Sequence, residues 1–215
     1  MKKKPSYLSI SKHYETCFDK HGDNYLGVDW PKKEDVEKRY RVMLDLVKHD
    51  NNKPPIPSLL DFGCGLGHFY DFIISQKEKI TYSGLDISNK FIAHCKEKFS
   101  NNTFYCVDIL SEPNEIPVFD YLIMNGVFTE KLSLSNDEMT SYFYKMLPIA
   151  FNKCSHGMAF NVMSKLVDWE RDDLFHVPFD HLTNIISNQL SRHFVIRHDY
   201  GLYEYTVYVY KKPNF

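Results

Sequence analysis

Apolar and polar positions along the chain follow two patterns, one typical of amphipathic helices and one of buried strands. Residues 33–49 place Val36 and Tyr40, together with later apolar residues, on one side of a helix. The Asn-Asn-Lys-Pro-Pro run at 51–55 breaks that helix. The short apolar run 56–62 then predicts a buried strand that ends in glycines.

The same alternation continues to the end of the chain. Further strands are predicted at 80–87, 103–107, 119–124, 158–163, 194–198 and 203–210. Further helices are predicted at 69–76, 89–99, 136–151 and 179–192, and Ser135 or Asn136 caps the third of these. Only residues 199–202, which include Gly201, separate the last two strands, so we expect an antiparallel hairpin.

Repeated strand-helix alternation with apolar strands is typical of an α/β fold. We predict a Rossmann-like, doubly wound and mostly parallel sheet of seven strands, with helices on both faces and an antiparallel C-terminal strand. The length of 215 residues fits a single domain, 1–215, because two domains would each have a small core.

Composition and charge narrow the partners that the chain can have. A hydrophobic fraction of 43% and an aromatic fraction of 15% favour a packed interior over long disorder. A formal charge of −2 gives no general attraction to a polyphosphate backbone, so nucleic acid is not an expected partner. Because no apolar run approaches membrane-spanning length, we expect no membrane insertion either.

The cysteines indicate a reducing compartment. Cys17, Cys64, Cys95, Cys106 and Cys154 are odd in number, widely spaced and without a Cys-x-x-Cys pair. The pattern argues against zinc and against a disulfide framework, and we expect no bound metal. Charged residues throughout residues 1–30 do not fit a signal peptide, so the predicted location is cytoplasmic.

A glycine-rich turn follows the first predicted strand. Gly63, Gly65 and Gly67 lie where the strand meets its helix, and glycine there lets backbone N–H groups approach a ligand. A dinucleotide fingerprint needs a glycine or alanine three residues after the second glycine, where this chain has His68. The bulky side chain of His68 argues against the interpretation of the chain as a nicotinamide-dependent oxidoreductase. That class of enzyme stays an alternative.

Two aspartates end the next two strands. Asp86 follows the glycines by about 20 residues, where a carboxylate can accept hydrogen bonds from a ribose diol, and Asp108 ends the third strand. Each alone is more often a strand end or a helix cap. Because ligands of open α/β sheets bind at the carboxyl ends of the strands, the three signals together predict a nucleoside site.

These motifs resemble those of a known family. Gly-x-Gly-x-Gly preceded by Asp61 is similar to the first motif of class I S-adenosylmethionine-dependent methyltransferases. Three further segments are similar to a bacterial group of these enzymes whose substrates are largely unassigned: His13-Tyr14-Glu15, Gly27-Val28-Asp29-Trp30 and His198-Asp199-Tyr200-Gly201-Leu202-Tyr203-Glu204. The resemblance implies S-adenosylmethionine as cofactor, with residues 1–50 as a helical lid segment and 51–215 as the core.

The resemblance also implies a set of cofactor-binding residues. The core residues of this set are Asp61, Gly63, Gly65, Gly67, Asp86, Ile87, Asp108, Ile109, Asn125 and Gly126, with Asp108 meeting the adenine amino group. Arg39 is the expected partner of the methionine carboxylate, unless it is an exposed helix residue. Tyr14 and Trp30 belong to the lid, where their rings could contact a sulfonium cation; core packing is the alternative.

The acceptor of the methyl group is not identified by the sequence. Residues 125–128 depart from the Asp/Asn-Pro-Pro-Tyr loop of base methyltransferases, so we expect a small molecule in a pocket built from Phe128, residues 164–182 and the lid. Candidates for a general base are His68, Glu130, His176, His181 and Glu204, none of them singled out. A cofactor-binding module without transfer activity stays an alternative, as does, less favoured, a protein or nucleic-acid methyltransferase, and the oligomeric state is open.

Overall fold

The computed structural model of the protein describes residues 6–214; residues 1–5 and 215 of the predicted domain lie outside the described residues. The helices are α1 (Leu8–His21), α2 (Lys33–Lys48), α3 (His68–Ser75), α4 (Asn89–Lys98), α5 (Asn136–Phe151) and α6 (Phe179–Gln189). The strands are β1 (Ser58–Phe62), β2 (Thr81–Asp86), β3 (Thr103–Cys106), β4 (Phe119–Phe128), β5 (Cys154–Ser164), β6 (His176–Val177), β7 (His193–Arg197) and β8 (Glu204–Tyr210). Short 3-10 helices, Tyr25–Val28 and Pro113–Glu115, lie in two connections.

The strands form one sheet in the order β3-β2-β1-β4-β5-β8-β7. Neighbours from β3 to β5 run parallel, whereas β8 is antiparallel to both β5 and β7. This confirms the predicted Rossmann-like, doubly wound fold and its C-terminal hairpin. The sheet also contains β6, which pairs with Met163 and Ser164 of β5 and is too short to show a periodicity in the sequence.

The fourth and fifth strands are longer than predicted. β4 continues to Phe128, and β5 begins at Cys154. The pairing of β4 with β5 shifts between Met124 and Phe128, and Gly126 within this stretch has a φ of 83°. Asn125 and Gly126 therefore lie on an irregular continuation of the strand, where the sequence predicted a loop.

Helix α5 begins where the sequence predicted. The hydroxyl of Ser135 accepts a hydrogen bond from the backbone N–H of Glu138 at 3.2 Å, and the Glu138 carboxylate accepts one from the N–H of Ser135 at 3.0 Å. This capping box identifies Ser135 as the N-cap of α5.

Alternate residues of the central strands pack against helices on opposite faces of the sheet. Leu60 joins the buried cluster of α5 and α6, and its neighbour Leu59 joins that of α2, α3 and α4. Phe128 is fully buried in the first cluster, against Phe143 and Phe160. The prediction that Phe128 lines an acceptor pocket is therefore wrong, because its ring fills the space between β4 and α5.

Candidate active site

A cleft opens at the carboxyl ends of β1, β2 and β4, where α1 and the segment that follows it cover the sheet edge. Most of the predicted cofactor residues line this cleft: Tyr14, Trp30, Asp61, Gly63, Gly65, Asp86, Ile87, Asp108, Ile109, Asn125 and Gly126. Gly67 and Arg39 lie outside that lining, among the residues that the structure describes. The glycine turn and both aspartates thus face one hollow.

The glycine turn has a shape that other residues would disturb. Gly65 has a φ of 51°, in the left-handed region that favours glycine, and its N–H donates to Asp86 Oδ2 at 3.0 Å. Gly67, with a φ of 74°, begins α3, and a Cβ there would lie 2.6 Å from Phe99 Cε2. The turn therefore shapes one end of the cleft. Gly67 itself lies outside the lining of the cleft, next to Phe99.

Asp86 is buried at the end of β2 and organises its surroundings. Oδ1 accepts from the N–H of Ser88 at 2.8 Å, while Oδ2 accepts from Gly65. Burial raises the pKa of Asp86 to about 6, against the lowering effect of these backbone hydrogen bonds. Because a carboxylate can accept about four hydrogen bonds, acceptor capacity remains for a ligand in the cleft.

The other two predicted carboxylates are held by tyrosines. Tyr82 donates to Asp61 Oδ2 at 2.8 Å inside the core, and burial raises the pKa of Asp61 to about 7. Tyr7, at the start of the N-terminal segment, donates to Asp108 Oδ2 at 2.7 Å. Asp108 therefore connects the β3 end of the cleft to the segment that covers it.

Residues from 7–30 line the cleft from outside the sheet, and this segment is called the lid below. Helix α2, which also belongs to the predicted lid segment 1–50, instead packs its buried face against the sheet. Asp23 anchors the lid. The Asp23 carboxylate accepts from His68 of α3 at 2.6 Å and from His94 of α4 at 3.0 Å, and it lies 3.1 Å from Lys98 Nζ. Although burial opposes the shift, hydrogen bonds from these three residues lower its pKa to about 2. Contacts of Glu15 with Ser88 and of Asp19 with Lys90 add to this attachment.

A second cavity, of about 260 Å³, adjoins the cleft. Tyr14, Val28 and Trp30 line both hollows and form the wall between them. The segment between β5 and α6, including Trp169 and Leu174, lines the second cavity. Part of the predicted 164–182 pocket wall is therefore in place.

Two of the predicted base candidates face this second cavity. Glu130 follows β4, and His176 begins β6. Burial, and then the nearby charge of Asp29, raise the pKa of Glu130 to about 7. His176 Nδ1 lies 2.6 Å from the carbonyl oxygen of Ser164, so this nitrogen carries the hydrogen when the ring is neutral.

The remaining candidates have partners of their own. Glu204 is only 2% exposed, and its carboxylate accepts from Arg39 Nε at 2.9 Å to both oxygens. His68 is hydrogen-bonded to the lid, and His181 contacts Tyr144 on α5. These pairings leave Glu130 and His176 as the candidates that line the second cavity and that each have a buried side-chain atom without a hydrogen-bond partner.

Arg39 lines the second cavity and not the cofactor cleft. Its guanidinium lies over the Trp30 ring, 4.1 Å from the centroid, and it lines the second cavity. Since its Nε–H is taken by Glu204, only the terminal nitrogens remain for a carboxylate ligand. A role in binding the methionine carboxylate stays a prediction.

His13, Cys17 and Asp29 bring three potential metal-ligand atoms within 4.8 Å of one another in the lid. His13 Nε2 already lies 2.6 Å from Asp29 Oδ2, which is an ordinary hydrogen-bond distance. The contact between His13 and Asp29 thus has an explanation as a hydrogen bond, and the expectation of no metal stays a prediction. Within residues 6–214, no helix has the length and apolar character needed to span a bilayer.

Sequence reasoning missed part of the cleft. Tyr7, Ile10 and Ser11 line it from the lid, while Tyr142 and Met146 line it from α5. Tyr7 stacks on Tyr142 with 4.8 Å between ring centroids. The helical spacing of Tyr142 and Met146 was the available signal, but the same spacing is typical of core residues.

Comparison with known proteins adds an independent line of support. Residues 60–147 match a family model described as a methyltransferase domain. Over 159 residues the chain is 27% identical to "Putative methyltransferase Rv1506c" of Mycobacterium tuberculosis, and the match covers 72% of this chain and 93% of the relative.

Solved structures share the fold over nearly the whole chain. Magnesium protoporphyrin IX methyltransferase (ChlM) from Synechocystis PCC 6803, with bound S-adenosylmethionine, superposes with a TM-score of 0.67 at 14% identity, covering 99% of this chain and 100% of that one. The plantazolicin methyltransferase BamL, in complex with a desmethyl analogue and S-adenosylhomocysteine, gives 0.65 at 12% identity, covering 96% and 98%.

The fold and cleft are those of a Rossmann-like protein with a hollow at the carboxyl edge of its sheet, where such folds bind nucleoside cofactors. Together, the sequence matches and the structural neighbours support a class I S-adenosylmethionine-dependent methyltransferase with S-adenosylmethionine as its cofactor.

The lining of the cleft offers acceptor atoms that fit this cofactor. Asn125 Oδ1 is buried in the described structure without a hydrogen-bond partner and lines the cleft. A buried acceptor needs a donor, and the α-ammonium group of the cofactor supplies donors. Together with the spare acceptor capacity of Asp86 for a ribose diol, this donor set fits S-adenosylmethionine.

Proposed function

We propose that this enzyme transfers the methyl group of S-adenosylmethionine to a small-molecule acceptor that binds in the second cavity. The observation that carries the proposal is the wall formed by Tyr14, Val28 and Trp30, which the cofactor cleft and the second cavity share. An acceptor placed against this wall lies beside the cofactor. ChlM, which is named for a porphyrin, supports an acceptor of this kind.

The chain's own residues have few chemical tasks in this reaction. When bound, the cofactor supplies a methyl group on a sulfonium, which is already a good leaving group. Asp86 would hold the ribose and Asp108 the adenine, while Asn125 would accept from the amino acid part. The lid would exclude water and align the acceptor, which accounts for much of the rate enhancement in such reactions.

Methyl transfer from S-[methyl-13C]adenosylmethionine tests the proposal. The purified enzyme is incubated with the small-molecule, protein and nucleic-acid fractions of a cell extract, each kept separate. We expect label in the small-molecule fraction alone. Label confined to protein or nucleic acid contradicts the proposal, and tight S-adenosylhomocysteine binding without any transfer indicates a binding module.

The oxidoreductase alternative is tested by thermal unfolding. A ligand raises the melting temperature only if it binds the folded state. We expect S-adenosylhomocysteine to raise the melting temperature and NAD to leave it unchanged; stabilisation by NAD alone contradicts the assignment of the cofactor.

A further inference from the structure

The second cavity contains two polar atoms that lack partners and that both offer lone pairs. Glu130 Oε2 and His176 Nε2 are buried without a hydrogen-bond partner; Asn125 Oδ1, in the cofactor cleft, is the third such side-chain atom among the described residues. Because His176 Nδ1 donates to the carbonyl of Ser164, its Nε2 presents a lone pair in the neutral ring.

Buried acceptors without donors are unfavourable, and an occupant of the cavity can relieve them. Nearly all buried polar groups in folded proteins have partners, so an exception needs an explanation. An occupant that carries O–H or N–H groups can donate to both Glu130 and His176. An occupant without such groups leaves both atoms unpaired and is disfavoured for that reason.

The mouth of the cavity is aromatic and apolar. Trp169 is 73% exposed and Tyr203 is 63% exposed, and both line the cavity together with Val167 and Leu202. Large aromatic side chains with this much exposure at a cavity mouth are typical of binding surfaces. Trp30 provides a further aromatic side chain in the wall beside the cofactor cleft.

We propose that the acceptor is an aromatic compound bearing hydroxyl or amino groups, that the methyl group goes to the oxygen or nitrogen of one of them, and that Glu130 takes the proton which that group loses. His176 Nε2 binds a second O–H or N–H group of the same molecule and fixes its orientation. This inference rests on the proposed function and specifies its acceptor.

The position of Glu130 suits it to receive the proton. Its carboxylate interacts with the hydroxyl of Tyr14, which is in the wall shared with the cofactor cleft, while Oε2 keeps no partner within hydrogen-bond distance. The other charged or titratable groups that interact with Glu130 are His13, Cys17, Asp29, Arg171 and Asp173. A pKa of about 7 is close to a working pH near neutrality, at which a general base is most effective.

The transfer is balanced without a further reactant. When bound, the cofactor would supply the methyl carbon. A bond from this carbon to the acceptor oxygen or nitrogen would form as the carbon–sulfur bond breaks, and the electron pair of the broken bond would stay on sulfur. The acceptor atom gives its proton to the Glu130 carboxylate, and Glu130 then releases the proton to solvent.

The product identifies the acceptor class. The small-molecule product labelled with 13C is purified, and NMR determines which atom carries the methyl group. We expect an O-methyl or N-methyl group on an aromatic compound. A label on carbon or sulfur, or on a product without an aromatic ring, overturns this inference while the proposed function stands; if no small molecule is labelled, both fail.

Two variants distinguish the role of Glu130 as a base from the role of His176 in binding the acceptor. Glu130→Gln should lower kcat with that acceptor about 100-fold or more, the range for loss of a general base. His176→Asn keeps a donor toward Ser164 but removes Nε2, and should raise KM about tenfold with a smaller change in kcat. Glu170→Gln and His193→Asn, at exposed positions outside the cavity lining, are the matched controls.

Binding measurements keep the test independent of turnover. S-adenosylhomocysteine affinity, measured by calorimetry, should be the same in all four variants, and the methylated product should bind more weakly to His176→Asn than to wild type. A kcat for Glu130→Gln within about threefold of wild type rules out its role as base.

Discussion

Asp86 holds the glycine turn and faces the cofactor cleft with the same carboxylate. The sequence placed this residue correctly, because an acidic residue at the end of the second strand faces the ligand in most doubly wound folds. It gave no sign that the carboxylate also accepts from Gly65 and Ser88, since contacts between loops depend on how the strands are stacked.

Replacement of Asp86 should weaken cofactor binding. We expect Asp86→Ala to lower the affinity for S-adenosylhomocysteine by about 10- to 100-fold, the cost of losing charge-assisted hydrogen bonds to the ribose. Isothermal titration calorimetry measures this directly. An unchanged dissociation constant in a variant with a normal circular dichroism spectrum counts against the ribose assignment.

Asp86→Asn is the informative comparison. It keeps one acceptor oxygen for the glycine turn but loses the charge, so its affinity should lie between those of wild type and Asp86→Ala.

At the scale of elements, the sequence predicted the sheet and its helices well. The apolar runs of β1 and β4 carry a strong signal because both faces of these strands are covered. It did not place the bounds of α1, whose residues are all at least partly exposed. A helix held to the core by polar contacts such as those of Asp23 leaves little periodic pattern to detect.

The anchoring of α1 and its following turn predicts how the lid opens. Asp23→Asn should loosen the attachment of the lid to His68, His94 and Lys98, because it removes the negative charge of the carboxylate that all three side chains contact. We expect S-adenosylhomocysteine to dissociate several-fold faster, since release requires the lid to move. Stopped-flow measurement of ligand release gives the rate.

Hydrogen exchange provides the second measurement for the lid. Amides within 8–29 should exchange faster in Asp23→Asn, with the sheet unaffected. Glu97→Gln, at an exposed position on α4 beside two of the same partners, should leave both release and exchange unchanged. An equal effect in both variants contradicts a specific role for Asp23.

For the whole molecule, buried carboxyl groups make stability depend on pH. Burial raises the pKa of Asp61 from 3.8 to about 7, so the folded chain binds a proton more tightly than the unfolded chain does. At pH values between these two pKa values, the free energy of unfolding falls as the pH rises. Above a pH of about 7, the whole of this loss of stability is present. Asp86 and Glu130 act in the same direction.

Asp61→Asn isolates the contribution of one group. From pH 5 to pH 8, wild type should lose about 2 to 3 kcal/mol more stability than the variant, which has no carboxyl to titrate at this position. Urea unfolding at the two pH values measures the difference. A parallel decrease in both proteins shows that Asp61 does not titrate in this range.

The second cavity is the part of the site that the sequence predicted only in outline, from the lid and residues 164–182. Its walls come from the lid, the end of β4 and the segment between β5 and α6, which are distant along the chain. Their meeting depends on short irregular features, such as β6 and the pairing of Glu130 with Leu174, that leave no periodic signal. Glu130 and His176 were predicted only as two candidates among several.

The wall of Tyr14, Val28 and Trp30 predicts an order of events in a catalytic cycle. Because the same lid residues border both compartments, we expect the acceptor to bind more tightly once a nucleoside holds the lid in place. The enzyme should therefore load its methyl donor first and discharge the demethylated nucleoside last. In steady-state terms this is a compulsory-order mechanism, in which the spent donor competes with fresh donor for the free enzyme.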